Sequence, residues 1–171
     1  MRSEGEMRGK GAMRFLNFLL TSVILAFAVS AGAADMDGFR DIPWGSDVKE
    51  IRKTDPRLVE GNRGGMAGVE AYLRTDEDLS FGGIKSEGIA YNFYNGVFTS
   101  VSIEFRGFDN FEKLLAYCKK QFGPPTASAV LRLEQYAAFD APKTGAMLLY
   151  QLSQQTSNYG RLYLYSKKYL K

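Results

Sequence analysis

The dipeptide Asn95-Gly96, set between two rows of alternating apolar residues, constrains the fold of this chain more than any other feature. Before it, Ile89, Tyr91 and Phe93 alternate with Ala90, Asn92 and Tyr94; after it, Val97, Thr99, Val101, Ile103 and Phe105 alternate with Phe98, Ser100, Ser102 and Glu104. A period of two is the signature of a strand. Asn-Gly suits a two-residue turn because both central residues need positive φ, which these two types tolerate best. The stretch therefore predicts a β-hairpin. Gly107-Phe108 breaks the second strand, and Asp109 with Glu112 has the spacing of a capping box. Phe111, Leu114, Leu115, Cys118 and Phe122 follow at helical spacing, and Gly123-Pro124-Pro125 stops the helix. One apolar stripe then lies on the Val/Ile/Phe face of the hairpin.

The first 33 residues carry the clearest statement about location. Arg8, Lys10 and Arg14 precede an apolar run from Phe15 to Val29, and Ala31-Gly32-Ala33 supplies small residues. That order of charge, apolar run and small residues is a secretory leader, with the cut expected after Ala33 or Ala34. Glu4 and Glu6 fit poorly in a leader, so translation is expected to start at Met7 or Met13, with Met1 the alternative. The run is short for a span of roughly 20 residues, although an uncleaved anchor in the inner membrane is the alternative. No cysteine stands near the cut to accept a lipid. The expected location is periplasmic or secreted.

Residues 34–171 read as one domain, since no Pro/Ser/Gly linker divides them. Removing the leader takes four basic and two acidic residues from totals of 22 and 19, leaving a net charge of +1. No basic stripe is left to hold nucleic acid. The chain has no histidine and one cysteine, Cys118, which sits on the helical stripe as a small core residue. Ser-His-Asp and Cys-His catalysis and the commonest transition-metal sites are thereby excluded. No cofactor is expected, and the chain is read as a non-enzyme.

Along the rest of the chain, Ser46 is the expected N-cap of a helix from Asp47 to Lys53, closed by Asp55-Pro56. Two readings of Trp44 are open: a ring packed over that helix end, or an exposed anchor for a sugar or peptide. Leu58 to Gly68 reads as a glycine-rich loop or a weakly paired edge, with a flexible connection the expected form, and Val69 to Arg74 as a half-exposed strand. Asp76, Glu77 and Asp78 read as a solvated acidic turn, and Leu79 to Ile84 as a short strand interrupted by Gly82-Gly83. Leu131 to Phe139, Ala146 to Leu152 and Arg161 to Ser166 are further strands. Tyr163 and Tyr165 alternate with Leu162 and Leu164, so they form either a stacking platform or the second face of a covered sheet. Lys167, Lys168 and Lys171 read as guards against edge-to-edge pairing. The whole predicts an α+β fold of two helix-plus-three-strand units, an antiparallel sheet with both helices packed on one face.

The opening Phe39-Arg-Asp-Ile42-Pro43-Trp44-Gly45-Ser46, with the later Phe122-Gly123-Pro124-Pro125, resembles small uncharacterised exported bacterial proteins. The helix-plus-strands unit is also similar to the BamE/SmpA envelope assembly module and to the repeat of beta-lactamase inhibitor proteins. Those modules tend to carry Gly-x-Thr before the helix and Leu-Gly-x-Pro after it; here Gly45-Ser46 lacks the intervening residue and only the second helix ends in Gly-Pro. The resemblance implies a scaffold for protein contacts and transfers no binding residue. The expected function is thus a non-catalytic envelope protein that binds another envelope protein or envelope component, with no nucleic acid and no membrane span once the leader is gone. The alternative is a small-ligand or carbohydrate-binding domain using Trp44 and exposed tyrosines such as Tyr163 and Tyr165.

Overall fold

The computed structural model describes residues 35–61, 67–152 and 158–170, so the expected leader and its cut at Ala33 or Ala34 lie outside the described residues. The elements are β1 (Gly38–Phe39), β2 (Ile42–Pro43), α1 (Val48–Thr54), β3 (Leu58–Glu60), β4 (Val69–Arg74), β5 (Ser80–Phe81), β6 (Ile84–Lys85), β7 (Gly88–Tyr94), β8 (Val97–Arg106), α2 (Phe108–Phe122), β9 (Ala127–Val130), β10 (Glu134–Asp140), β11 (Thr144–Gln151) and β12 (Tyr159–Ser166). Eight strands form one antiparallel sheet in the order β3-β4-β7-β8-β12-β11-β10-β9, and two small hairpins, β1-β2 and β5-β6, stand apart from it. The α+β class follows directly. In the main sheet four strands, not three, come after each helix, because Leu58–Glu60 and Ala127–Val130 pair as strands where no alternation marked them.

The Asn95-Gly96 hairpin is β7-β8, turning with φ of 51° and 81° at those two residues. Its inward row of Ile89, Tyr91, Val101, Ile103 and Phe105 continues across the sheet through Leu162 and Leu164 of β12, Ala146, Leu148 and Tyr150 of β11, and Ala137 and Phe139 of β10, all of them buried. Phe111, Leu114, Cys118 and Phe122 of α2 and Val48 of α1 close over this face in a single core. Near its middle Gly160 leaves room for the Phe105 ring, which a Cβ there would overlap.

Both helix starts differ from the sequence reading. Asp47, not Ser46, caps α1, its carboxylate accepting from Lys49 N and Glu50 N. Gly107 is the N-cap of α2 and Asp109 lies in the first turn, so no capping box forms. Glycine is favoured there because the residue takes φ +84° to turn the chain sharply from β8 into the helix. The strand expected from Leu131 to Phe139 begins only at Glu134, as β10; Leu131 to Leu133 instead form a tight turn from β9 in which Leu131 and Glu134 exchange backbone hydrogen bonds. β12 lies in the centre of the sheet with a partner on each side, so Lys167 and Lys168 guard no edge; Lys167 instead pairs with Asp140 at 2.7 Å. Lys171 lies outside the described residues.

Candidate functional site

The sheet has two unlike faces. One is buried beneath α1, α2 and the small hairpins; among the described residues no helix or hairpin covers the other. Because side chains alternate along a strand, each buried residue of β12 is preceded by one on the uncovered face: Tyr159, Arg161, Tyr163 and Tyr165, all partly exposed. Tyr163 stands between Ser102 of β8 and Met147 of β11, and Tyr165 between Ser100 and Gly145. A Cβ at Gly145 would overlap the Tyr165 ring, so that ring leans over the bare backbone of its neighbour.

Arg161 ties this row together. Its guanidinium donates to the Tyr163 hydroxyl at 2.7 Å, to the Tyr159 hydroxyl at 2.7 Å and to Glu104 at 2.5 Å, and lies 5.5 and 5.6 Å from the centroids of the two rings. Burial works against its charge, but the hydrogen bonds to Tyr163, Glu104 and Tyr159 outweigh it and hold Arg161 above the ordinary arginine value. Burial, with Glu104 adding to it, pushes Tyr159 up to about 12, so the phenol is a neutral donor at physiological pH. Beside them Asn92 donates to Ser102 Oγ at 2.9 Å and to Ser100 Oγ at 3.3 Å. Met147, beside Tyr163, is exposed, as are Leu73 and Tyr94 farther out on the same face. The result is a platform of pre-ordered aromatic rings, one cation and short polar groups, the composition that gives interface hot spots their strength.

Trp44, offered as an exposed anchor, is instead a core residue. Only 9% of it is exposed; its ring lies 4.8 Å from that of Phe98, and its indole N–H donates to the Met36 carbonyl at 3.0 Å. The physical reason is the β1-β2 clasp: Phe39 and Ile42 are buried with it, and Gly45 N donates to Phe98 O while Phe98 N donates to Ser46 O. The opening Phe-x-x-Ile-Pro-Trp-Gly-Ser segment thus fastens the chain's first described residues to the sheet. Its two charged residues finish the fastening, since Asp41 pairs with Arg74 at 2.8 Å and Arg40 with Glu77.

A second polar cluster lies under that clasp. Arg74, whose side chain is 6% exposed, also meets Asp55 at 2.7 Å, and Asp55 is held again by Arg57 at 2.7 Å. Glu77, expected in a solvated turn, has a side chain only 5% exposed, which accepts from the Tyr91 hydroxyl at 3.1 Å. Its three acids and three arginines balance, and none faces a cleft; the cluster fastens α1, β4 and the clasp together. Among the described residues no three His, Cys, Asp or Glu side chains are grouped to hold a metal ion. No described helix is long and apolar enough to cross a membrane. A groove of about 160 Å³ between α2 and β9 is smaller than ordinary ligand pockets of roughly 300 Å³ and above.

Cys118 is wholly buried, and burial pushes its thiol up to about 12. Thiolate is the reactive form, so the native protein should resist a thiol reagent at pH 8 and react only after denaturation; stoichiometric labelling of the folded protein would contradict this placement.

No protein-family model matches the chain, and no curated protein or solved structure matches it.

Proposed function

We propose that this chain is a non-catalytic exported protein of the bacterial envelope that binds another envelope protein through the uncovered face of its sheet, centred on Tyr159, Arg161, Tyr163 and Tyr165. The observation that carries this reading is the interlocking of Arg161 with two tyrosines and Glu104 on a face that no described element covers. Rings held in place before binding lose little entropy on association, which favours recognition of a folded partner. Export rests on the leader expected in residues 1–33, whose alternative is retention as an inner-membrane anchor. The strand order, reversed on either side of the central β8-β12 pair, supports reading the sheet as two helix-led units. That arrangement accords with the resemblance to BamE/SmpA-type modules.

Tyr163→Ala tests the reading. Its side chain is partly exposed and covers no glycine, so the variant should fold, whereas loss of a central aromatic anchor should weaken partner binding by at least about 2 kcal/mol, near thirtyfold. Capture from envelope extract by the wild-type chain and not by Tyr163→Ala is the expected result. Equal capture by both would move the contact off this face.

A further inference from the structure

The two edges of the main sheet are built differently. β3 is three residues long and ends in Glu60, a short, charged edge of the kind that discourages pairing. β9, Ala127-Ser128-Ala129-Val130, carries no charge, no proline and no bulge, and nothing among the described residues pairs with its outer side. The reciprocal hydrogen bonds of Leu131 and Glu134 fix which backbone groups face outward. Hydrogen-bonded and non-hydrogen-bonded pairs alternate along an antiparallel ladder. In the β9-β10 register, Ala129↔Tyr136 is therefore a hydrogen-bonded pair, and the N–H and C=O of Ser128 and Val130 point away from β10. Beside them Val130 is 76% exposed and Leu131 56%, a concentration of apolar surface at an unpaired edge.

We propose that β9 pairs with β9 of a second copy, antiparallel about a two-fold axis at Ala129, joining two eight-stranded sheets into one. Charge and register select this occupant. A two-fold pairing sets Ser128 opposite the other copy's Val130, so all four outward groups of each strand find partners in four hydrogen bonds. The same register sets Ala127 opposite Leu131, bringing no charged residue against another across the paired segment and covering the exposed Val130 and Leu131. Pro124 and Pro125, just before the strand, lack the N–H needed to lengthen the ladder, which confines the contact to this segment. The interface is isologous, as closed two-fold dimers require. It engages none of Tyr159, Arg161, Tyr163 and Tyr165, and so stands or falls independently of that partner surface.

Ala129 then faces its own counterpart in a non-hydrogen-bonded pair, where Cα atoms lie about 4.5 Å apart, within disulfide reach. Ala129→Cys in the full-length chain, oxidised in intact cells and run without reductant, is expected to give a disulfide-linked dimer as its main band. The wild type should give none, because Cys118 is buried. Adding Val130→Lys should reduce the dimer about tenfold by setting two charges into the seam. Absence of the Ala129→Cys dimer, or a dimer unchanged by Val130→Lys, overturns the proposal. Sedimentation equilibrium of the unmodified protein gives a second reading that no substitution can disturb: a dimer mass at about 100 μM supports the pairing, and a monomer mass there removes it.

Discussion

Phe111→Ala is expected to destabilise the protein by about 3 to 5 kcal/mol, lowering the melting temperature by roughly 10 to 15 °C for a domain of this size. The ring is 4% exposed and lies 5.5 Å from the ring of Tyr150 and 5.6 Å from that of Phe108. Tyr150 in turn is stacked 6.4 Å from Phe105 in the middle of the sheet. Phe111 is thus where α2 is fastened to both halves of the core, and alanine leaves a void that neighbouring rings cannot collapse into without leaving their own contacts. The loss is larger than the roughly 1.5 to 3 kcal/mol of transfer energy for a buried phenylalanine, because the cavity adds to it. Calorimetry showing a shift under about 2 °C would mean that α2 is not docked in this way.

Arg74→Met should cost about 3 kcal/mol, near the lower end for breaking a buried ion pair. Methionine replaces much of the stem's volume but leaves Asp55 buried with only its Arg57 partner and Asp41 with none of its guanidinium hydrogen bonds. The arginine also lies 5.4 Å from the centroid of the Tyr91 ring, a cation–π contact that methionine cannot make. Acid sensitivity provides a second check. The hydrogen bond from Arg57, opposed by burial, lowers the Asp55 pKa, and the hydrogen bond from Arg74, likewise opposed, lowers that of Asp41. Their contribution is therefore present above the ordinary aspartate value near 3.8 and is lost as pH falls through the depressed folded values. Arg74→Met should flatten the stability curve below about pH 4 as well as lowering the plateau at pH 7. A variant as stable as wild type at pH 7 would show that the cluster is a solvated surface feature.

What was legible in the sequence was local. The Asn95-Gly96 hairpin and the α2 stripe announce themselves through turn chemistry and period, and both are where they were expected. β9 leaves no signal in the sequence, because Ala-Ser-Ala-Val has neither alternation nor large side chains and Arg132-Leu133, at the turn into β10, carries no turn residue. Which strands are edges is a property of nonlocal pairing. Lys167 and Lys168 therefore look like edge guards in the sequence although they follow the central strand. The burial of Glu77 and Arg74 was equally out of reach, since it depends on Arg40, Asp41 and Tyr91, which lie 14 to 37 residues away along the chain. The tyrosine row was visible from its period, but the locking of Tyr159 and Tyr163 through Arg161 depends on their converging on one guanidinium. Trp44 was the ambiguous residue, and the clasp around it decided the matter in favour of the core.

The division of the sheet into a covered and an uncovered face is what the proposed function rests on, and hydroxyl-radical footprinting read by mass spectrometry tests it most directly. Met147 and Tyr94 should oxidise readily in the free protein, Tyr163 and Tyr165 more slowly, and Trp44, Tyr91 and Tyr150 not at all until the protein unfolds. Oxidation of Trp44 or Tyr150 in the native state at the rate of Met147 would contradict the account.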